Sequence, residues 1–121
     1  MAYKWVCNAS PLILLNRIGH LTLLTELSDS LVIPHGVIEE VIPYEDDTLG
    51  WEAFFGSPKV LKIDNAINVE PQIAGWDLGN GESEVLSWAA KHPGYEAILD
   101  DLEARKPSFR INMDIRMAGT A

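Results

Sequence analysis

The sequence predicts a three-layer α/β/α domain built on a mainly parallel sheet of four or five strands. Three observations lead there. Short runs such as Tyr3–Cys7, Leu31–Pro34 and Tyr95–Leu99 have the length and apolar content of strands buried in a parallel sheet. The segments between them carry apolar residues at helical spacing. Turn or capping residues stand where strand gives way to helix, which is the alternation that crossover helices require.

A chain of 121 residues that is 47% hydrophobic and 22% charged supports one globular domain, 1–121, with a modest core. Its longest apolar runs, Pro11–Leu15 and Leu31–Pro34, fall far short of the ~20 residues a membrane helix requires. No basic N-terminal region precedes a long apolar segment, so the expectation is a cytoplasmic protein with no membrane partner. The single cysteine, Cys7, has no partner for an internal disulfide and lies in an apolar run, as a packing thiol would.

Taken in order, Tyr3–Cys7 reads as a strand that ends at Asn8-Ala9-Ser10-Pro11. Ser10 is the predicted N-cap and Pro11 the first helical residue, followed by the apolar face Leu12, Ile13, Leu15 and Ile18. Gly19-His20 breaks that helix, and Leu21–Leu27 forms a second, shorter one. Leu31–Pro34 is the next strand, and His35–Ile42 the helix after it, with Val37, Ile38 and Val41 on its apolar side.

Between Pro43 and Gly75 the pattern is weaker. A helix is expected over Leu49–Phe55 and a strand over Val60–Ile63, with Trp51, Phe54 and Phe55 as core or as a partner-facing patch. Leu78-Gly79-Asn80-Gly81 is turn chemistry; from Glu82 a helix carries Val85, Leu86, Trp88 and Ala89 to a stop at His92-Pro93-Gly94. After the Tyr95–Leu99 strand come Asp100 and Asp101 and a helix start at Leu102-Glu103-Ala104-Arg105. Pro107 interrupts that helix, and Phe109–Met117 alternates as a strand with one exposed face would.

Four carboxylates, Glu82, Glu84, Asp100 and Asp101, fall within twenty residues. Acids at a helix start serve the helix dipole, and Asp at a strand-to-helix junction serves as an N-cap, so a structural use for each is open. In a parallel sheet, however, these acids share one edge with Asn8 and with the helix bearing Glu39 and Glu40. Consecutive helical residues point ~100° apart, so only one of Glu39 and Glu40 can face that edge. Such a carboxylate basin suits Mg²⁺ or Mn²⁺ and the hydrolysis of phosphodiesters. His20, His35 and His92 are widely separated in sequence, which disfavours zinc.

The charge balance limits the mode of nucleic-acid contact. With 9 basic and 18 acidic residues the net charge is −9, which argues against a broad basic face. Arg105, Lys106, Arg110 and Arg116 lie in the last seventeen positions, either as a phosphate-facing patch or as a solvated basic tail.

Four segments, Asn8-Ala9-Ser10-Pro11-Leu12-Ile13, Val37-Ile38-Glu39-Glu40, Gly81-Glu82-Ser83-Glu84-Val85 and Asp100-Asp101-Leu102-Glu103-Ala104-Arg105, follow one another in the order of known signatures. In them the chain resembles the PIN-domain family of nucleases, and most of all bacterial and archaeal proteins related to VapC-type toxins. Each motif is weak alone; four in order over most of the chain are specific. The resemblance implies metal-binding and catalytic roles for Glu40, Glu82, Glu84 and Asp101, with Asp100 beside them and Asn8 at the first ligand position. The paired glutamates are also similar to the Glu-x-Glu of flap endonucleases. Ser10 would orient water or phosphate, Arg105 would serve the substrate, and Thr120 matches a Gly-Thr that follows the family's last strand.

The function so implied is a divalent-metal-dependent endoribonuclease, the toxin of a toxin–antitoxin pair, with an antitoxin as protein partner and a homodimer as its usual assembly. The chain departs from the pattern in two places. Asn8 stands where the family's ligand is typically Asp and offers a carbonyl oxygen without charge. The chain also ends at Ala121, where relatives run on into further helices, so the expectation is a domain C-terminally truncated relative to them. These departures support an alternative: a catalytically impaired PIN-like module that binds nucleic acid or protein and regulates.

Overall fold

In the computed structural model the chain is described over residues 3–43, 49–75, 79–99 and 116–117. Its elements run β1 (Lys4–Cys7), α1 (Ala9–Arg17), α2 (Leu23–Leu27), β2 (Ser30–Ile33), α3 (His35–Val41), α4 (Leu49–Phe55), β3 (Val60–Lys62), α5 (Pro71–Ala74), α6 (Asn80–Lys91), β4 (Tyr95–Ile98) and β5 (Arg116–Met117). All strand pairs are parallel and the sheet order is β3-β2-β1-β4-β5, so the expected α/β architecture holds.

Strand composition follows position in the sheet. Central β1 and its neighbour β2 end in fully buried residues, Val6 and Cys7 in one and Leu31, Val32 and Ile33 in the other, as strands covered on both faces must. Edge strand β3 is largely exposed, and Lys62 there places its ammonium over the Phe55 ring at 5.1 Å. Leu12, Val37, Val41, Phe54, Val85 and Leu86 close the core from the helices, each with no exposed surface. Trp51 and Phe54 are core, with Trp51 stacked on half-buried Phe55 at 5.9 Å between centroids.

Helix starts differ from the sequence expectation in instructive ways. The N-cap of α1 is Asn8 (φ −82°, ψ 168°) and not Ser10, which lies exposed in the first turn. The reason is that Asn8 is still sheet backbone: its N–H donates to the Ile98 carbonyl at 3.1 Å, so the helix begins directly where the strand ends. Pro11 is the third helical residue, where its missing N–H costs nothing because first-turn N–H groups have no helical acceptor. Helix α6 likewise opens earlier than expected, at Asn80, because Gly79 is extended (φ −65°, ψ 160°) and caps it. Leu21 and Thr22 precede α2, and α5 is a turn of helix not foreseen, with Pro71 at its start.

The predicted breaks at Gly19 and Gly94 are positions of positive φ, 74° and 97°, which glycine alone adopts cheaply. Of the expected Phe109–Met117 strand, Arg116 and Met117 pair with Glu96 and Ala97 as β5. The rest of that strand and the helix at 102–105 lie outside the described residues.

Candidate metal edge and the crossing of two helices

Strand order places the site. The chain moves outward from β1 through β2 to β3, then returns to pair β4 on the other side of β1. The switch point is therefore between β1 and β4, whose carboxyl ends are in register at Cys7 and Ile98. In open parallel sheets the crevice outside such a point is where ligands bind. Asn8, 3% exposed, occupies it at the end of β1, and the chain leaving β4 runs through Leu99 toward Asp100 and Asp101. Asp100, Asp101, Arg105 and Thr120 themselves lie outside the described residues.

Helix α6 packs against β1, β4 and α3, and its first two turns bring Glu82 and Glu84 inside, each 5% exposed. Two residues apart on a helix, their side chains diverge by ~200°. The divergence assigns Glu84 a definite environment. One of its oxygens accepts the N–H of Gly36 at the start of α3, and the other accepts the N–H of Ile67 at 2.8 Å. Both carboxylate oxygens are thus engaged by backbone from two separate segments.

The adjacent glutamates of α3 also part ways. Glu40 Oε1 accepts the Gly81 N–H at 3.2 Å, whereas Glu39 reaches His35 Nε2 at 3.3 Å on the surface. Glu40 is the one that turns to α6. Carboxylates therefore cross in both directions between the two helices: Glu84 of α6 receives an N–H of α3, and Glu40 of α3 receives an N–H of α6. The crossing is close because it is made at glycines. A Cβ on Gly36 would lie 3.0 Å from the Gly81 nitrogen and 3.1 Å from the Asn80 carbonyl carbon. Beside it opens a cleft of ≈ 360 Å³ lined by His35, Gly36, Glu39, Ala66, Ile67, Val69, Asn80 and Glu84.

Asn8 carries an amide oxygen at the end of β1 and Glu82 a buried carboxylate in the first turn of α6, and oxygen donors of this kind suit Mg²⁺ or Mn²⁺. Among the described residues no three His, Cys, Asp or Glu side chains form a group that could hold a metal ion. Cys7 is fully buried, its thiol donating to the Asn8 carbonyl at 3.4 Å, in keeping with a packing role. Sequence reasoning missed the Gly36–Gly81 crossing and the engagement of Glu84 by Ile67. A glycine two residues after Pro34 was the available signal for the first; nothing in the pattern around Ile67 marks the second.

The domain is thus a parallel α/β sheet with buried acids on the helix that packs on its switch-point strands. The chain belongs to the PIN-domain family: the family model DUF3368, a PIN domain, matches residues 4–121. PIN domains generally depend on divalent metal and bind nucleic acid. No curated protein and no solved structure matches the chain. No described helix is long and apolar enough to cross a membrane.

Proposed function

We propose that this PIN domain is a Mg²⁺- or Mn²⁺-dependent endoribonuclease acting in the cytoplasm as the toxin of a toxin–antitoxin pair. The observation that carries the reading is the β1/β4 switch point, where buried Asn8 is hydrogen-bonded to the strand that runs into Asp100-Asp101. Glu82, buried at the start of a helix packed on both strands, joins the same edge. Glu40, Glu82, Asp100 and Asp101 are the proposed carboxylate ligands, Asn8 adds a carbonyl oxygen, and Glu84 completes the acidic set around them. A divalent cation held there supplies polarisation of the phosphoryl oxygens and stabilisation of the leaving oxygen.

The chain's own residues do the positioning. Ser10, exposed in the first turn of α1, would orient water or a phosphate near Asn8. Arg105 and Thr120 complete the substrate side, Arg105 by countering phosphate charge in a chain of net charge −9. An antitoxin would occupy the acidic edge, and two copies of the chain would form the working dimer.

A second reading rests on Asn8. An amide in place of a carboxylate removes one negative charge from the ligand set, which suits a PIN module that binds nucleic acid or protein without cleaving. Cleavage of structured RNA transcripts with and without Mn²⁺ separates the two. Metal-dependent cleavage that is lost in Glu82→Gln and Asp101→Asn establishes the nuclease; intact RNA at millimolar Mn²⁺ leaves the binding module.

A further inference from the structure

We propose that Glu84 is a positioning residue of this metal edge and not one of its ligands, an inference that rests on the nuclease reading above. Glu82 and Glu84 form one short acidic motif and are equally buried, but point to different sides of α6. Glu84 has both oxygens engaged by main-chain donors, Gly36 N–H and Ile67 N–H. These donors belong to segments far apart in sequence, the first turn of α3 and the strand-to-helix connection after β3. The carboxylate is 5% exposed and so forms these bonds away from competing water, where they are hardest to replace.

The side chain therefore acts as a strut across three segments. It holds the start of α3 against α6, and α3 is the helix that carries Glu40. It also fixes the 66–69 connection, whose Ile67 and Val69 wall the neighbouring cleft. Unlike Glu40, which has one oxygen so engaged, Glu84 has both oxygens held by N–H groups from opposite segments. Turning Glu84 toward a cation would strain at least one of these buried bonds, and a buried unsatisfied donor is costly. Glutamine is a discriminating replacement. Its single carbonyl oxygen can satisfy one of the two N–H groups, while its amide nitrogen faces the other as a second donor.

Gly36→Ala reaches the same strut without altering any carboxylate. A Cβ there would stand 2.5 Å from Glu84 Oε1 and close to the α6 backbone. The two substitutions break one bridge, so their effects should not add.

The experiment measures Mn²⁺ binding by calorimetry and cleavage of structured RNA transcripts for the unmodified chain, Glu84→Gln, Gly36→Ala, the double variant and Glu82→Gln. Thermal unfolding of each is followed in parallel. The inference predicts unchanged Mn²⁺ stoichiometry in Glu84→Gln, with kcat reduced about tenfold to a hundredfold, the range seen when groups that orient metal ligands are removed. Apparent KM stays close to that of the unmodified chain, Gly36→Ala lowers kcat in the same direction, and the double variant loses less than the product of the two single losses. Glu82→Gln loses Mn²⁺ binding. Loss of Mn²⁺ binding in Glu84→Gln equal to that in Glu82→Gln, with further loss in the double variant, would make Glu84 a ligand and overturn the inference. A lowered unfolding temperature with kcat unchanged would reduce it to a stabilising contact and also overturn it. If Glu84→Gln does not fold, Gly36→Ala alone carries the same kcat and stoichiometry test. Failure of the unmodified chain to bind Mn²⁺ overturns the nuclease reading itself, and is distinguished from the other outcomes by not depending on Glu84.

Discussion

Gly36 and Gly81 meet across the crossing of α3 and α6 so closely that a Cβ on the first would sit 3.0 Å from the backbone nitrogen of the second. Around that contact, glutamates of each helix accept an N–H of the other. Two acidic residues of this domain, Glu40 and Glu84, thus hold the helices together.

The two glycines are not equivalent. Alanine at 36 meets backbone atoms of α6, which cannot move without shifting the helix, so a cost of about 1–3 kcal/mol is expected from overpacking. Alanine at 81 meets chiefly Glu40 Oε1 at 2.6 Å and Val37 Cγ2 at 3.2 Å. Glu40 is exposed and swings aside, and alanine regains about 0.5–1 kcal/mol of helix propensity, so the net change should be small. Urea denaturation of both variants checks the contrast; equal destabilisation would mean that Glu40 and Val37 yield no more readily than the α6 backbone.

Glu39 and Glu40 should separate in function. The Glu39–His35 pair is exposed and spans i to i+4, so Glu39→Gln is expected to change stability by no more than about 0.5 kcal/mol. It should also leave Mn²⁺ affinity unchanged. Glu40→Gln keeps an oxygen able to accept the Gly81 N–H, so it should retain stability while weakening Mn²⁺ binding. Calorimetry on the pair gives the answer, and equal Mn²⁺ affinity in both would remove Glu40 from the ligand set.

Cys7 offers a probe of the switch point. With no exposed surface and Asn8 next to it, the thiol should react with a disulfide reagent only when the β1 end opens. Labelling rates that rise with urea in step with global unfolding are expected. Fast labelling of the native protein would show that this edge opens on its own.

Among the described residues Phe54 is the largest side chain that is wholly buried, and its truncation to alanine should cost about 3–5 kcal/mol. That is a large part of a typical domain's ~5–15 kcal/mol, so the circular-dichroism melt of Phe54→Ala should fall far below that of the unmodified chain or disappear.

Much of the fold was legible in sequence because strands and helices here have opposite signatures. Leu31–Ile33 is uninterrupted apolar, and α6 repeats its apolar residues at helical spacing, so period and length agree with the structure. Helix starts were less legible. Ser10 and Glu82 carry the side-chain chemistry of a first turn, but where a helix begins depends on which residue leaves the sheet or takes an extended cap, here Asn8 and Gly79. For the site, sequence marked candidate residues, of which Asn8 caps α1 and Glu82 lies in the first turn of α6. It did not show that Glu84 turns toward Gly36 and Ile67, because those donors are brought to it by tertiary packing from 48 and 17 residues away.

The most direct test is isothermal calorimetry of Mn²⁺ binding to the purified chain, set beside Glu82→Gln and Asp101→Asn. The metal-edge account predicts saturable binding by the unmodified chain and affinity weakened at least about tenfold in each variant, a difference of some 1.4 kcal/mol. Binding that is absent at millimolar Mn²⁺, or unchanged in both variants, would contradict it.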